Sequence, residues 1–322
     1  MTKKKATTIL LIVIFVGIII FIAGDLWSSI ITFRNSKIAE KLNNSKDYNN
    51  QKRPQLAVSF YPLYFFSKRI GGDKADVFNI TPAEYNPHDY RLTSQEIAAI
   101  KASQLIVLNG LGLEPWLSDI QNVVDKNNTT ILTVSENLSD IQLIKNERDK
   151  ANSHIWLSPI LAQKIVDRIL EGFLQIDPRN ANYYQANANK LKSELIKLDG
   201  EYRKGLENCA DKKIVTTHSA FLYLAKDYGL TQIVISGLSP STNLSSAQSK
   251  NMSEFIRVEN VKYIFFEEQP TTELAEKIEK SFGVKSLVLT PIETLTTEEI
   301  ASNKNYFTFM ENNLNNLKLQ CQ

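Results

Sequence analysis

The chain contains only three histidines, and all three stand in loops rather than on apolar faces. His88 follows a predicted strand, His154 precedes a predicted helix, and His218 stands at the end of another predicted strand. A single histidine in a loop is usually a surface or capping residue, but three in comparable positions indicate a shared role. Because imidazole suits zinc and other late transition metals, the three side chains predict a metal site.

A fourth group is needed to complete a tetrahedral site around three nitrogen donors. Glu293 follows the predicted strand 286–289, whereas Glu267 and Glu268 follow the predicted strand 262–266 and compete for the role. Carboxylates at strand ends are also common as helix caps and surface charges. Sequence separation does not rank the three carboxylates, so all of them remain candidates on this ground.

The elements that must position these residues are short apolar runs that alternate with helical patterns. Most of the strand candidates are continuous apolar runs with Val and Ile, as strands buried on both faces should be. They cover residues 56–61, 77–81, 105–109, 131–134, 213–217, 232–236, 262–266 and 286–289. Helical patterns cover residues 94–103, 159–176, 220–227, 246–260 and 272–282, among others. This alternation predicts an α/β fold with parallel sheets covered by helices on both sides.

A long helical segment, 177–207, divides the strands into two groups of four. Asp177 as the cap and Pro178 in the first turn begin it. A helix of about 28 residues is about 42 Å long, enough to span a whole molecule. We therefore predict an N-terminal lobe at 54–176, a linking helix at 177–207 and a C-terminal lobe at 208–322.

The position of the histidines agrees with this architecture. In open α/β sheets, ligands bind beyond the carboxyl ends of the strands. His88 and His218 meet that rule, and His154 lies in a loop.

The first 33 residues predict a membrane anchor. Lysines at positions 3–5 precede an apolar run, 9–23, whose length lies between a signal-peptide core and a spanning helix. No small-x-small cleavage site and no cysteine for lipid attachment follow the run, and Trp27 stands where an interfacial aromatic belongs. We expect an uncleaved anchor, with a signal peptide as the alternative, then a flexible tether at 34–53. The rest of the chain is then extracytoplasmic.

Charge and cysteine content exclude or disfavour further classes of function. The formal net charge is +2, and Lys and Glu are interleaved without a basic stripe, which excludes nucleic-acid binding. The two cysteines, Cys209 and Cys321, lack CxxC partners, which argues against a cysteine metal site. An extracytoplasmic location permits a disulfide between them, and two unrelated thiols are the alternative.

Seven segments of the chain, taken in order, resemble one protein family. They are NPHDY at 86–90, NGLGLEPW at 109–116, HIWLSP at 154–159, THSAF at 217–221, ISGLSP at 235–240, FEE at 266–268 and TPIE at 290–293. The combination is similar to the solute-binding proteins of zinc and manganese ABC importers, closest to the zinc-binding adhesin-like members. The resemblance extends from about Gln55 to Leu317.

This resemblance implies two (β/α)4 lobes joined by a rigid helix, with the metal in the cleft between them. His88 and His154 match the N-lobe ligands of the family, His218 matches the first C-lobe ligand, and Glu293 matches the C-lobe carboxylate. The resemblance therefore decides between the three carboxylates. Manganese-selective relatives tend to carry Glu at the position of His218, so a set of three imidazoles favours zinc over manganese or iron.

The resemblance further implies a function in transport. The protein is expected to act as a monomer that captures one zinc ion and passes it to the membrane permease of an ABC importer. An enzyme is not expected, because the chain lacks a short ligand spacing such as HExxH, and Glu293 fills the position that a catalytic water needs. A metal-stabilised surface adhesin is the remaining alternative. Glu84 and Asp89, on either side of NPH, are interpreted as ordinary loop charges.

Overall fold

The computed structural model describes residues 53–136, 138, 144, 151–235 and 246–322. The predicted anchor at 1–33, and the predicted tether at 34–53 apart from its last residue, lie outside the described residues. No helix in the described ranges is both long and apolar enough to cross a membrane.

Eight strands form two sheets of four, and every pairing is parallel. The strands are β1 Gln55–Val58, β2 Asp76–Asn79, β3 Leu105–Leu108, β4 Thr130–Thr133, β5 Lys213–Thr216, β6 Thr231–Val234, β7 Tyr263–Phe266 and β8 Lys285–Val288. The spatial orders are β2-β1-β3-β4 and β6-β5-β7-β8. The predicted α/β class with two groups of four parallel strands is confirmed.

Helices connect the strands, as parallel pairing requires. They are α1 Tyr61–Gly71, α2 Ser94–Ala102, α3 Leu117–Ile120, α4 Pro159–Ile176, α5 Ala181–Leu206, α6 Leu222–Asp227, α7 Ser246–Glu259, α8 Thr272–Phe282, α9 Thr297–Ala301 and α10 Tyr306–Gln320. The predicted extension of the first strand to Tyr61 is wrong. Pro62 stands in the first turn of α1, where its fixed φ favours a helix start, and β1 ends at Val58.

In several strands, successive side chains point into different hydrophobic clusters. In β1, Leu56 and Val58 enter the large central core, whereas Ala57 enters a smaller cluster on the other face of the sheet. In β7, Phe265 enters the same central core and Phe266 a third cluster. Since the central core is shared by both sheets, the described chain from Pro54 to Gln322 is one compact unit.

The long helix α5 passes along both halves of this core. It has 26 residues, about 39 Å at 1.5 Å per residue, and packs against α1, α4 and α10. Its buried residues recur every three or four positions and are Tyr184, Ala188, Leu191, Leu195, Leu198, Tyr202 and Leu206. The predicted long helix is present, although a 3₁₀ turn, Pro178–Asn180, precedes it.

Asp177 is not the helix cap that the sequence predicts. Its side chain makes no capping bond to the backbone. Instead the buried carboxylate accepts hydrogen bonds from Arg179 Nε, Asn180 Nδ2 and Tyr184 Oη at 3.2, 2.6 and 2.9 Å. The buried Tyr184 hydroxyl requires a partner, and this requirement decides where the carboxylate points.

The last helix, α10, is attached to the end of α5 by a disulfide between Cys209 and Cys321. Tyr202 Oη of α5 also donates to the carbonyl of Met310 in α10 at 2.7 Å. Of the two alternatives for the cysteines, the structure shows the paired one. The bridge closes a loop with a sequence separation of 112, which makes its constraint on the unfolded chain large.

Removal of this bridge is expected to destabilise the fold. We predict that the double variant Cys209→Ala/Cys321→Ala loses about 2–4 kcal/mol of unfolding free energy, since the unfolded chain regains the entropy of the open loop. Urea unfolding of the metal-free protein measures this loss. Wild-type protein reduced with dithiothreitol is the matched control and should unfold at the same urea concentration as the double variant. Equal stability of oxidised wild type and variant would contradict the expectation.

Candidate metal centre

The three histidines and Glu293 meet at the ends of strands from both sheets. His88 lies in the loop after β2, His218 follows β5, and Glu293 follows β8. His154 precedes a 3₁₀ turn, Ile155–Leu157, that leads into α4. One ligand atom from each of the four residues lies within 4.8 Å of the others.

The ligand atoms of the group approach one another closely. Glu293 Oε1 is 3.1 Å from His88 Nε2 and 2.9 Å from His154 Nε2, and the Nε2 atoms of His154 and His218 are 3.1 Å apart. A tetrahedral zinc site with bonds of about 2.0–2.1 Å has ligand–ligand edges of about 3.3 Å. The three measured distances are a few tenths of an ångström shorter than such edges.

Asn152 orients the most buried histidine. His154 is 3% exposed, and both its backbone N–H and its Nδ1 lie 3.1 Å from Asn152 Oδ1. Binding of a metal ion through Nε2 would require the ring proton on Nδ1, where the amide oxygen of Asn152 would accept it. The amide nitrogen of Asn152 donates to the carbonyl of Ser219 at 2.5 Å, the residue after His218. One amide thus supports two of the ligand-bearing loops.

Gln232 on β6 supports the loop of His218 from the second sheet. Its Nε2 donates to the His218 carbonyl at 2.7 Å and to Thr216 Oγ1 at 2.6 Å, while its Oε1 accepts from the backbone of Phe221 at 3.1 Å. Thr216 Oγ1 also donates to the His218 carbonyl at 2.8 Å. The backbone around His218 is consequently held without use of the imidazole.

Trp156 joins the segment of His154 to the segment of Glu293. Its Nε1 donates to the carbonyl of Pro291 at 2.7 Å, and its own carbonyl accepts from Tyr306 Oη at 2.6 Å. All three side chains are buried at the junction of the two halves. Between Pro291 and Glu293, Ile292 adopts φ 58°, a conformation that β-branched residues rarely accept. Packing and these bonds therefore determine where the carboxylate of Glu293 points.

The protonation of the site follows from burial and from the contacts within it. Burial lowers the pKa of His154 to about 4, so its imidazole is neutral near pH 7. Burial acts to raise the pKa of Glu293, but hydrogen bonds from His154 and His88 hold it well below its usual range. Burial likewise acts to lower the pKa of His88, yet the hydrogen bond to Glu293 leaves it raised. A buried, ionised carboxylate beside the neutral imidazole of His154 favours a cation.

The competing carboxylates lie outside the four-residue group. Glu267 and Glu268 line, together with Glu293, a cavity of 730 Å³ on the side of the second sheet. Glu268 is exposed, and burial raises the pKa of Glu267. In the described part of the chain, Glu293 is the carboxylate that meets all three histidines.

Polar residues two positions before each histidine are functional residues that the sequence analysis missed. Asn86 Oδ1 accepts the backbone N–H of His88 at 2.8 Å, as Asn152 does for His154, and Thr216 donates to the carbonyl of His218. Asn, Ser and Thr favour such short-range bonds to the backbone. The repeated spacing of a polar side chain two residues before a loop histidine was the available signal.

Comparison with known proteins identifies relatives of this arrangement. Residues 56–319 match the family described as "ZnuA: Zinc-uptake complex component A periplasmic". The "High-affinity zinc uptake system protein ZnuA" of Bacillus subtilis is 33% identical over 274 residues, which are 82% of this chain and 86% of that protein. The "Zinc-binding lipoprotein AdcA" of Streptococcus pneumoniae is 32% identical over 288 residues, 84% of this chain.

A solved structure agrees with these relatives. The zinc-bound ZnuA-like domain of Streptococcus pneumoniae AdcA superimposes with a TM-score of 0.79 at 33% identity, covering 84% of this chain and 99% of that domain. The match spans only 57% of the length of the AdcA protein itself. On sequence and fold together, the chain belongs to the ZnuA family of zinc-uptake components.

Proposed function

We propose that this protein is an extracytoplasmic solute-binding protein that captures one zinc ion and delivers it to the permease of an ABC importer. The observation that carries the proposal is the convergence of His88, His154, His218 and Glu293 from both halves of the fold. The names of the relatives, a zinc uptake protein and a zinc-binding lipoprotein, support it.

Zinc is the metal that the donor set favours. Three imidazole nitrogens and one carboxylate oxygen match the borderline-soft, tetrahedral preference of Zn²⁺. Mn²⁺ favours harder oxygen ligands, and a carboxylate in place of the His218 imidazole would be needed to supply a second one. We therefore assign His88, His154, His218 and Glu293 as zinc ligands.

Capture and release, rather than catalysis, is the role that such a shell supports. Four protein ligands leave no open position for a substrate or a water, so we propose no enzymatic activity. An adhesin in which metal only stabilises the fold is less well supported. The central hydrophobic core extends through both sheets and does not use the ligand group to hold them together.

The location of the protein follows from the same proposal. The solute-binding component of an importer lies outside the cytoplasm. The anchor assigned to residues 1–33 would tether it to the membrane there. The lobe boundaries at 54–176, 177–207 and 208–322 remain part of the proposal. The ligands on both sides of the linking helix would come together around one ion carried by a monomer.

The donor assignment is tested by calorimetric titration of the metal-stripped protein with zinc and, separately, manganese. Wild type should bind one zinc ion per chain and manganese much more weakly. His218→Ala and Glu293→Ala should each weaken zinc binding by at least about 100-fold, since loss of an outer partner alone costs 10–100-fold.

Glu268→Ala is the matched control for this titration. It removes an exposed carboxylate near the site without touching the four ligand atoms. It should bind zinc like wild type. Tight manganese binding with weak zinc binding would overturn the metal assignment, and no stoichiometric site for either ion would overturn the proposed function.

Zinc affinity is also expected to fall as the pH is lowered. Metal and protons compete for the same imidazole nitrogens, so binding must displace any proton present. His88, whose pKa is raised, takes up a proton first, whereas His154, whose pKa is about 4, stays neutral. We predict a loss of about tenfold in affinity per pH unit once the pH is below the pKa of His88. Titrations between about pH 8 and pH 5 measure it, and a constant affinity would contradict the assignment of His88.

A further inference from the structure

Glu84 holds a backbone conformation that side chains disfavour. It lies in the loop between β2 and α2, four positions before His88, and its φ is 70°, in the left-handed region. A residue other than glycine persists there only when its surroundings hold it.

The surroundings of Glu84 belong to the other half of the fold. Its backbone N–H donates to Thr294 Oγ1 at 3.0 Å and to the Leu295 carbonyl at 3.2 Å. Its carboxylate Oε1 accepts from the backbone N–H and the Oγ1 of Thr297 at 3.2 and 3.0 Å. Four hydrogen bonds thus join residues more than two hundred positions apart in sequence.

These bonds join the segment that carries His88 to the segment that carries Glu293. Glu84 is part of the loop that carries His88, and Thr294 directly follows Glu293. Elsewhere at the site, the buried Trp156 and Tyr306 side chains donate hydrogen bonds to the carbonyls of Pro291 and Trp156. These buried bonds hold the two halves together there. The Glu84 contacts are solvent-accessible and can break without exposing the core.

We infer that Glu84 and Thr297 form a latch that holds the His88 loop against the Glu293 segment and limits how fast a metal ion enters and leaves. The latch rests on the proposed function, because it acts on passage of the metal. Glu84 is a positioning residue, since it touches none of the four ligand atoms. Hydrogen bonds from Thr297 also hold the pKa of Glu84 below its ordinary value. The carboxyl group is therefore ionised at neutral pH and can accept these bonds.

The latch has a kinetic signature that differs from damage to the site. Its four bonds involve no metal ligand, so we expect them in the metal-free and the metal-bound protein alike. An interaction that favours neither state changes the rates of exchange without changing the affinity. Zinc association and dissociation should both accelerate when the latch is removed, while Kd changes by less than about threefold.

The first experiment needs no metal. Amide hydrogen exchange of the stripped full chain is followed in peptides that cover residues 81–90 and 292–299. In Glu84→Ala, which loses both carboxylate bonds, exchange in these peptides should be roughly tenfold or more faster than in wild type. Glu298→Ala, which removes a neighbouring exposed carboxylate outside the latch, should exchange like wild type.

The second experiment measures zinc exchange by stopped flow with a competing chelator. Glu84→Ala should release zinc roughly tenfold faster, Thr297→Val should release it faster by a smaller factor, and Thr297→Ser should restore the wild-type rate because it keeps the hydroxyl donor. Glu84→Gln keeps an acceptor oxygen but no charge, so its rate should remain near that of wild type.

Either experiment can overturn the latch. Unchanged amide exchange in Glu84→Ala refutes it whether or not the protein binds zinc. If Glu84→Gln released zinc as fast as Glu84→Ala, the charge and not the hydrogen bonds would control zinc release. That result would also refute the latch. A chain that binds no zinc but shows the predicted amide exchange would refute the proposed function and leave the loop contact in place.

Discussion

Burial of the Glu293 carboxylate among imidazoles is the interaction on which the candidate metal site depends. The residue is 7% exposed, and an isolated charge in such a place costs several kcal/mol. Hydrogen bonds from His88 and His154 offset that cost in the absence of an ion, and a divalent cation would offset it more fully. The site is therefore built to favour a positive charge at its centre.

Buried contacts hold the segments on one side of the Glu293 carboxylate, whereas the contacts on the other side are exposed to solvent. The buried bonds of Trp156, together with the packing of α5 along both halves, fix the segments of His154 and Glu293 at their base. His88 lies in a loop whose contacts to the other half are exposed. In the proposed function, a local movement of that loop would let the site exchange its ion.

Orientation of the ligands comes from amide and hydroxyl groups rather than from charges. Asn152 contacts Nδ1 of His154 and donates to the loop of His218, and Gln232 holds that loop from β6. These partners carry no charge, so the ionised Glu293 would be the counter-charge of a bound cation. This distribution favours one divalent cation without a need for further acidic residues.

The sequence was sufficient for the elements and for the three histidines that come together, but not for the contacts between them. Continuous apolar runs such as β3 and β7 predict buried parallel strands, because such strands bury both faces. Three loop histidines predict a metal site for a similarly local reason. The choice of Glu293 over Glu267 depended on a family resemblance, since the meeting of strand ends from two sheets is a long-range outcome.

Features decided by packing were the ones that sequence reasoning missed or misplaced. Asp177 pairs with the buried Tyr184 hydroxyl instead of capping a helix. Glu84 was interpreted as a loop charge, because its partners Thr294 and Thr297 lie in the other half of the chain. Neither hydrophobic periodicity nor residue spacing indicates a hydrogen bond between residues so far apart in the sequence.

X-ray absorption spectroscopy at the zinc edge of the loaded wild-type protein tests the central claim most directly. We predict four nitrogen or oxygen neighbours at about 2.0–2.1 Å, with the multiple-scattering signature of three imidazoles. Fewer than three imidazoles, or a shell expanded by water ligands, would contradict a closed site made of His88, His154, His218 and Glu293.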